Sequence, residues 1–262
     1  MARSFIYDSI GFSEATVEDG TVSGTTFDPA PTSVTNEERA NDMSIATTFT
    51  DFDTNDALRF DVGLDNASKT ANCIALYYTS AHTQDFKLYK GLSTTDGTAM
   101  DSTLNYTIPL YEGWNIQTLT EGFGQYWFLH STTGTIDNIA EVIIGTKYTF
   151  AVNPELNSKI GEEFGTDIIT SYGGNEYANK RHAPKTTWDW SWSHILSTQK
   201  TALEDLNASV QDWKKFIYYD DVTGSGGDAS NYHYVRMTTP ITFTEVAPNV
   251  YSANMGLREQ LS

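Results

Sequence analysis

Adjacent carboxylates stand at Asp220-Asp221, Glu162-Glu163 and Glu37-Glu38. Two carboxyl groups facing each other across a cleft, roughly 5–9.5 Å apart, could split a glycosidic bond. Neighbours on a strand point to opposite faces, so Asp220 and Asp221 do not make such a pair by themselves. The stretch DFDTNDAL (51–58) sets Asp51, Asp53 and Asn55 at alternating positions, like the opening of a calcium loop. Its sixth place is Asp56 rather than glycine and its twelfth is Val62 rather than glutamate, so the helix–loop–helix form fails. A solvated turn is the plain reading of it; a calcium site of another kind is the sharper one. His82, His130, His182, His194 and His233 have no zinc-like spacing, and Cys73 has no second thiol beside it. TGSGGD lacks the Lys-Ser/Thr of a phosphate loop, and no serine sits in a nucleophile elbow. The expectation is a chain that is not an enzyme, with no catalytic set, no bound metal and no cofactor.

The densest chemistry is aromatic. KTTWDWSWSHIL (185–196) places Trp188, Trp190 and Trp192 two apart, half of the six tryptophans in the chain. Period-two spacing puts them with His194 on one strand face, opposite Thr187, Asp189, Ser191 and Ser193. Such a face is either the inside of a wall, a platform for stacking sugars or a subunit interface. Each indole buries roughly 150–250 Å², so three bare ones would leave a patch near the limit that monomers tolerate. The wall is the expected answer, because the next segment supplies its other side. In STQKTALEDLNASVQDW, Leu203, Leu206, Val210 and Trp213 share one helix face, with Ser197 as the N-cap candidate.

The elements around this helix read as strands. ALRFDVGL (57–64) alternates, NCIALYYTS (72–80) is apolar on both faces and so central, and DFKLYKGL (85–92) alternates again. NYTIPLYEGWN, GQYWFLHST and IAEVIIGTKYTFAV (139–152) complete an antiparallel β-sandwich over residues 1–152. NPELNSKIGEEFGTD (153–167) reads as a linker, with the domain boundary inside it. Residues 153–262 then form a second sandwich: DIITSYGG, the tryptophan strand, one helix near 198–213, KKFIYYDD, YHYVRMTT, ITFTEV and the alternating VYSANMGLREQL. VTGSGGDASN (222–231) has the composition of a flexible loop. The fold class is mainly β: two antiparallel β-sandwich domains, the second with one flanking α-helix.

The chain of 262 residues carries a net charge of −18, and residues 1–150 hold 20 of its 34 acidic side chains. That surface repels phosphate, which excludes a specific nucleic-acid grip and disfavours an anionic membrane. No run approaches the ~18 apolar residues of a membrane span. MARSFIYDSIGFSEA reads as no signal peptide, which points to synthesis in a cytoplasm. Lys180, Arg181, His182 and Lys185 make a small basic cluster, read as a solvated strand start or a contact with a neighbour. Asn66-Ala67-Ser68 and Asn105-Tyr106-Thr107 are chance glycosylation matches.

The order of elements is itself informative. A sandwich ends in EVIIGTKYTFAVNPEL; then come SYGGNEYANKRHAPKTTWDWSWSHILS, one amphipathic helix, and strands closing on NVYSANMGLREQLS. This resembles minor tail proteins near the distal end of bacteriophage tails, which pair a galactose-binding-like (discoidin-like) sandwich with a tail-tube-like domain. The resemblance covers nearly the whole chain as pattern rather than as invariant residues, so no functional residue carries over. It implies a virion structural protein that assembles as a ring, often hexameric, around the DNA channel between tube and tip. Its partners would be copies of itself and other tail proteins (tube, hub, fibres), with a host glycan as a further contact of the first sandwich. A carbohydrate-binding adhesin without a ring is the alternative. The 222–231 loop would reach a neighbouring ring.

Overall fold

The computed structural model describes residues 3–29, 32, 34–79, 85–91, 99–101, 106–109, 112–132, 134–155, 158–220 and 231–260. His82, Asn105, Asp221, Leu261 and residues 222–230 of the glycine-rich loop, singled out above, lie outside these.

Among the described residues, fifteen strands and one α-helix form in chain order. The first ten strands are β1 (Arg3–Tyr7), β2 (Thr16–Ser23), β3 (Thr26–Asp28), β4 (Asp56–Asp61), β5 (Thr70–Tyr78), β6 (Asp85–Lys90), β7 (Tyr106–Pro109), β8 (Gly113–Phe123), β9 (Tyr126–Ser131) and β10 (Ile139–Thr149). They are followed by β11 (Lys159–Thr170), β12 (Glu176–Leu196), α1 (Ser197–Val210), β13 (Lys215–Asp220), β14 (Tyr232–Ala247) and β15 (Val250–Glu259). All pairing is antiparallel. A six-stranded sheet runs β3-β2-β4-β9-β6-β7 and a nine-stranded one β11-β12-β15-β14-β13-β1-β10-β5-β8. The expected mainly-β class with one helix is what forms; the described strands gather into two antiparallel sheets that pack as a sandwich.

The sandwich core lies between the small sheet and the β10-β5-β8 end of the large one. Leu58 and Phe60, Phe86 and Leu88, and Trp127 and Leu129 face Ile74, Leu76, Val142 and Ile144 there. The alternation in ALRFDVGL and DFKLYKGL is this one-sided burial. NCIALYY is apolar throughout because Cys73 and Ala75, between those core positions, point into a separate cluster on the opposite face. Burial pushes the Cys73 thiol up to about 12.

Backbone pairing crosses the expected boundary at residue 152. β1, from the chain's start, lies between β10 and β13, with Ser4 paired to Thr149 on one side and Tyr219 on the other. The linker expected over 153–167 is corrected in two ways. Glu155 N–H bonds to Ser191 O at 2.9 Å, and from Lys159 onward the chain is strand β11. Glycines and charge there belong to a solvated hairpin, whose polar faces mimic linker composition. IAEVIIGTKYT forms one strand. YHYVRMTT and ITFTEV join into the single strand β14, with Pro240 sitting where the register with β15 shifts between Thr239 and Thr242.

Candidate assembly surface and surface hollows

The three indoles are buried: Trp188, Trp190 and Trp192 are each at most 3% exposed, packed with Leu203, Leu206 and Val210 of α1. Trp190 sits edge-on to Trp192 at 6.0 Å and to Tyr218 at 4.4 Å. Trp192 Nε1 donates to Val152 O at 3.0 Å, satisfying its polar end. Gln199, buried in the first turn of α1, exchanges two bonds with the Val152 backbone, at 2.8 and 2.9 Å. The strand is therefore a wall.

Two readings of this region are corrected. His194 is exposed and Ile195 buried, because the β12–β15 register shifts between Trp192 and Ile195 and flips the alternation. Trp213 is outside the helix. α1 ends at Val210, Gln211 takes φ 51°, and Trp213 is left 46% exposed. The sequence periodicity continued past that break. Ser197 is the first helical residue rather than the cap, which is Leu196 with no side-chain bond.

β12 is 21 residues long, but only its Thr187–Leu196 part pairs with β15. The remainder pairs with β11 alone, making a two-stranded arm about 35 Å long by strand geometry. Ile168 and Ile169 are 63% and 66% exposed, and as consecutive strand residues they face opposite sides. Ile160, Phe164, Tyr172 and Tyr177 are exposed on the same hairpin. β11 is also the outermost strand of the large sheet. The basic cluster belongs to this arm: Arg181 pairs with Asp167 across the hairpin. The His182 ring lies over Gly165, where an added Cβ would come within 2.3 Å of Nε2. At the arm's root, Arg258 pairs with Glu163 at 3.1 Å. Glu259 accepts the Thr186 N–H at 3.1 Å and faces His233 Nδ1 at 3.4 Å; the His233 contact chiefly holds its carboxyl down at about 2.

Of the carboxylates singled out first, Asp220 is paired to Arg3 at 2.9 Å, and Glu37 and Glu38 begin a short 3-10 turn. Asp51 accepts from the Thr35 and Thr50 hydroxyls, at 3.3 and 3.0 Å, and Asp53 from the Thr135 hydroxyl. Asp51 and Asn55 both take positive φ, as a tight turn requires. Among the described residues no three His, Cys, Asp or Glu side chains gather as metal ligands. His130 is buried on β9, where burial lowers it to about 4. No described helix is long and apolar enough to cross a membrane.

Among the described residues, two of the surface hollows are roomy. One, of about 770 Å³, lies between α1 and the loops after β1 and before β5. Much of its charge is already engaged. Lys214 pairs with Glu14 at 2.7 Å, and the Asp8 carboxylate takes backbone N–H groups of Ile10, Phe12 and Ser13. The other, of about 460 Å³, is walled by Tyr77, Trp114, Tyr232 and Tyr234 with Glu112 and Glu259 at its edge. Its walls come from both ends of the chain, so sequence reading missed it. Tyr77 and Trp114 do lie in stretches read as strands, but nothing in one dimension pairs them with 232–234.

No protein-family model matches the chain, and no curated protein matches it. Among solved structures, chitosan-binding module 1 of a Paenibacillus sp. IK-5 chitosanase/glucanase is similar at 15% identity and a TM-score of 0.38, covering 54% of this chain and 100% of its own. Module 2 of the same enzyme, in complex with chitotriose, is similar at 9% identity and a TM-score of 0.38, over 52% of this chain and 99% of its own. The family 32 CBM from C. perfringens NanJ, in complex with galactose, gives 14% and 0.35, over 56% of this chain and 99% of its own. At these scores the likeness carries no statement about what this chain binds.

Proposed function

We propose that this chain is a structural component of a bacteriophage tail. It assembles with copies of itself as a ring near the distal end, with a galactose-binding-like part over residues 1–152 and a tail-tube-like part over 153–262. The observation that carries the reading is the β11–β12 arm. Its hairpin bares Phe164, Ile168, Ile169, Tyr172 and Tyr177, with Ile160 at its root, and among the described residues no helix or sheet buries them. The arm carries the charge and the proline (Glu162, Glu163, Lys180, Arg181, Pro184) that commonly blunt an edge, yet it still leaves six large apolar side chains in the open. A two-stranded ribbon is marginal alone, so an apolar arm of this length finds its stability against a neighbour. Interfaces of ring subunits reach ~1,200–2,000 Å² or more, the scale on which an arm of this kind is covered. The acid excess of the chain fits a channel along which DNA slides without sticking.

Light scattering and negative-stain imaging of the purified protein test this. Rings or stacked rings are expected, and Phe164→Asp with Ile168→Asp should return a folded monomer. A wild-type chain that stays monomeric at high concentration would sink the reading. The second reading, a glycan-binding adhesin, is favoured by the aromatic hollow; it is compatible with a ring.

A further inference from the structure

Four strands separate β14 from β8 in the large sheet. In a flat sheet at about 4.8 Å per spacing, they would lie roughly 24 Å apart. Yet the rings of Trp114 on β8 and Tyr234 on β14 are 5.4 Å apart. The sheet therefore curls until its two flanks meet, and small side chains line the inside of the curl: Cys73 and Ala75, with Ile6, Ile143 and Ile217 beside them. The mouth of that curl is the aromatic hollow. Tyr77 stands edge-on to Trp114 at 5.1 Å, and Tyr232 stacks on Tyr219 at 4.5 Å, so the rings are braced in place.

The geometry points to a saccharide-binding site in this hollow, for a neutral or amine-bearing hexose and not an acidic one. This deepens the second, glycan-binding reading of the proposed function and rests on none of the assembly argument. Three features choose the ligand. The partly exposed Tyr77 and Tyr232 rings, backed by the buried Trp114 and Tyr234, fit a ligand with an apolar face, and a pyranose has one made of C–H groups. Glu112 and Glu259 offer only acceptors, so the ligand must be rich in donors, which hydroxyls and amines are. Among the described residues lining the hollow there is no lysine or arginine, and the chain's net charge is −18, so a carboxylated or phosphorylated sugar is disfavoured. The volume of about 460 Å³ lies within the range of small-ligand sites. The site is formed by β5 and β8 of the first half of the chain and β14 and β15 of the second, so it exists only when the large sheet is whole.

The test is calorimetric titration of the full chain with glucosamine oligomers, neutral glucose and galactose oligomers, a uronic-acid oligomer and choline. Binding of an amino or neutral oligomer, and none of the uronic acid, is expected. Glu112→Gln, at an exposed rim position that leaves the fold intact, should weaken binding about tenfold, the scale of one hydrogen bond to a charged group. Tyr77→Ala should weaken it further, and Trp213→Ala, in the other hollow, should leave it unchanged. The inference is overturned if no oligomer binds at millimolar concentration, if choline alone binds, if the uronic acid binds as well, or if Trp213→Ala is the variant that abolishes binding. Ring formation is read separately by scattering, so failure here leaves the assembly proposal standing and the reverse also holds.

Discussion

β12 is one strand with two lives. From Trp188 to Ile195 it pairs with β15, with β11 reaching only as far as Asp189, is roofed by α1, and its inward side chains are almost wholly buried. From Glu176 to Lys185 the same strand has one partner, and its side chains stand mostly in the open. The backbone is equally extended in both parts, so local conformation does not distinguish them. What differs is the third dimension: α1 and β15 meet only the C-terminal part. Burial of apolar area is the dominant stabilising term, so the first part anchors the fold and the second depends on whatever comes to cover it.

The largest expected effect breaks this comparison directly. Trp190→Ala should cost about 3–5 kcal/mol, because the indole leaves a cavity between Phe5, Tyr218 and α1. Tyr177→Ala, on the same strand, should stay within about 0.5 kcal/mol in the isolated chain. Equal losses in denaturant unfolding would mean that the two parts are not energetically distinct. The order should invert for assembly: Tyr177→Ala should weaken self-association measured by sedimentation.

A second effect sharpens the arm. Gly165→Val drives a side chain into the His182 ring and should straighten or splay the ribbon, at a cost of about 1–3 kcal/mol of arm stability. Hydrogen exchange of the arm amides reads it. Restoration by His182→Ala in the same chain would tie the effect to that contact, and no restoration would assign it to strand pairing instead.

Buried charge gives a third. Glu141 lies under the 42–46 segment, accepting the Ser44 N–H at 2.9 Å. Burial, with Asp42 nearby, raises its carboxyl well above the ordinary range. A group raised on folding contributes fully below its unfolded value and loses that contribution as pH rises through its folded value. Glu141→Gln keeps an acceptor for Ser44 without the charge. It should leave stability near pH 4 unchanged and increase it at alkaline pH, as read from urea midpoints across the range.

How much of this was legible in one dimension depends on where the partner groups lie. The strands at 57–64, 72–80 and 85–92, the indole wall and the helix stripe announced themselves, because alternation and 3.6-residue spacing are local records of one-sided burial. The helix end did not: Trp213 keeps the period while Gln211 leaves helical space. Nor did the bulge before Ile195, which a clean alternation conceals. The stretch 159–167, the first part of the arm, reads as linker in sequence because glycine and charge serve a solvated hairpin as well as a tether. The aromatic hollow could not be seen at all, since its walls are more than 100 residues apart and meet only through the curl.

The smallest effect concerns the hinge between the two parts of β12. Glu259 accepts the Thr186 N–H, the last residue before β15 takes up pairing, and His233 beside it holds its carboxyl at about 2. A carboxyl depressed on folding stabilises above its unfolded value, near 4.5, and that contribution disappears as pH falls toward 2. Because the group is partly exposed, the stabilisation is on the order of 1 kcal/mol after solvent screening. Its location matters more than its size. Protonation withdraws the bond that fastens the arm's root to β15, so hydrogen exchange at Thr186 and Thr187 should accelerate between pH 4.5 and 2 before the Trp188–Trp192 amides respond. Glu259→Gln should flatten that difference. If root and wall amides instead open together in the wild type, the strand is a single cooperative unit, and the arm is held by the wall rather than by its own anchor.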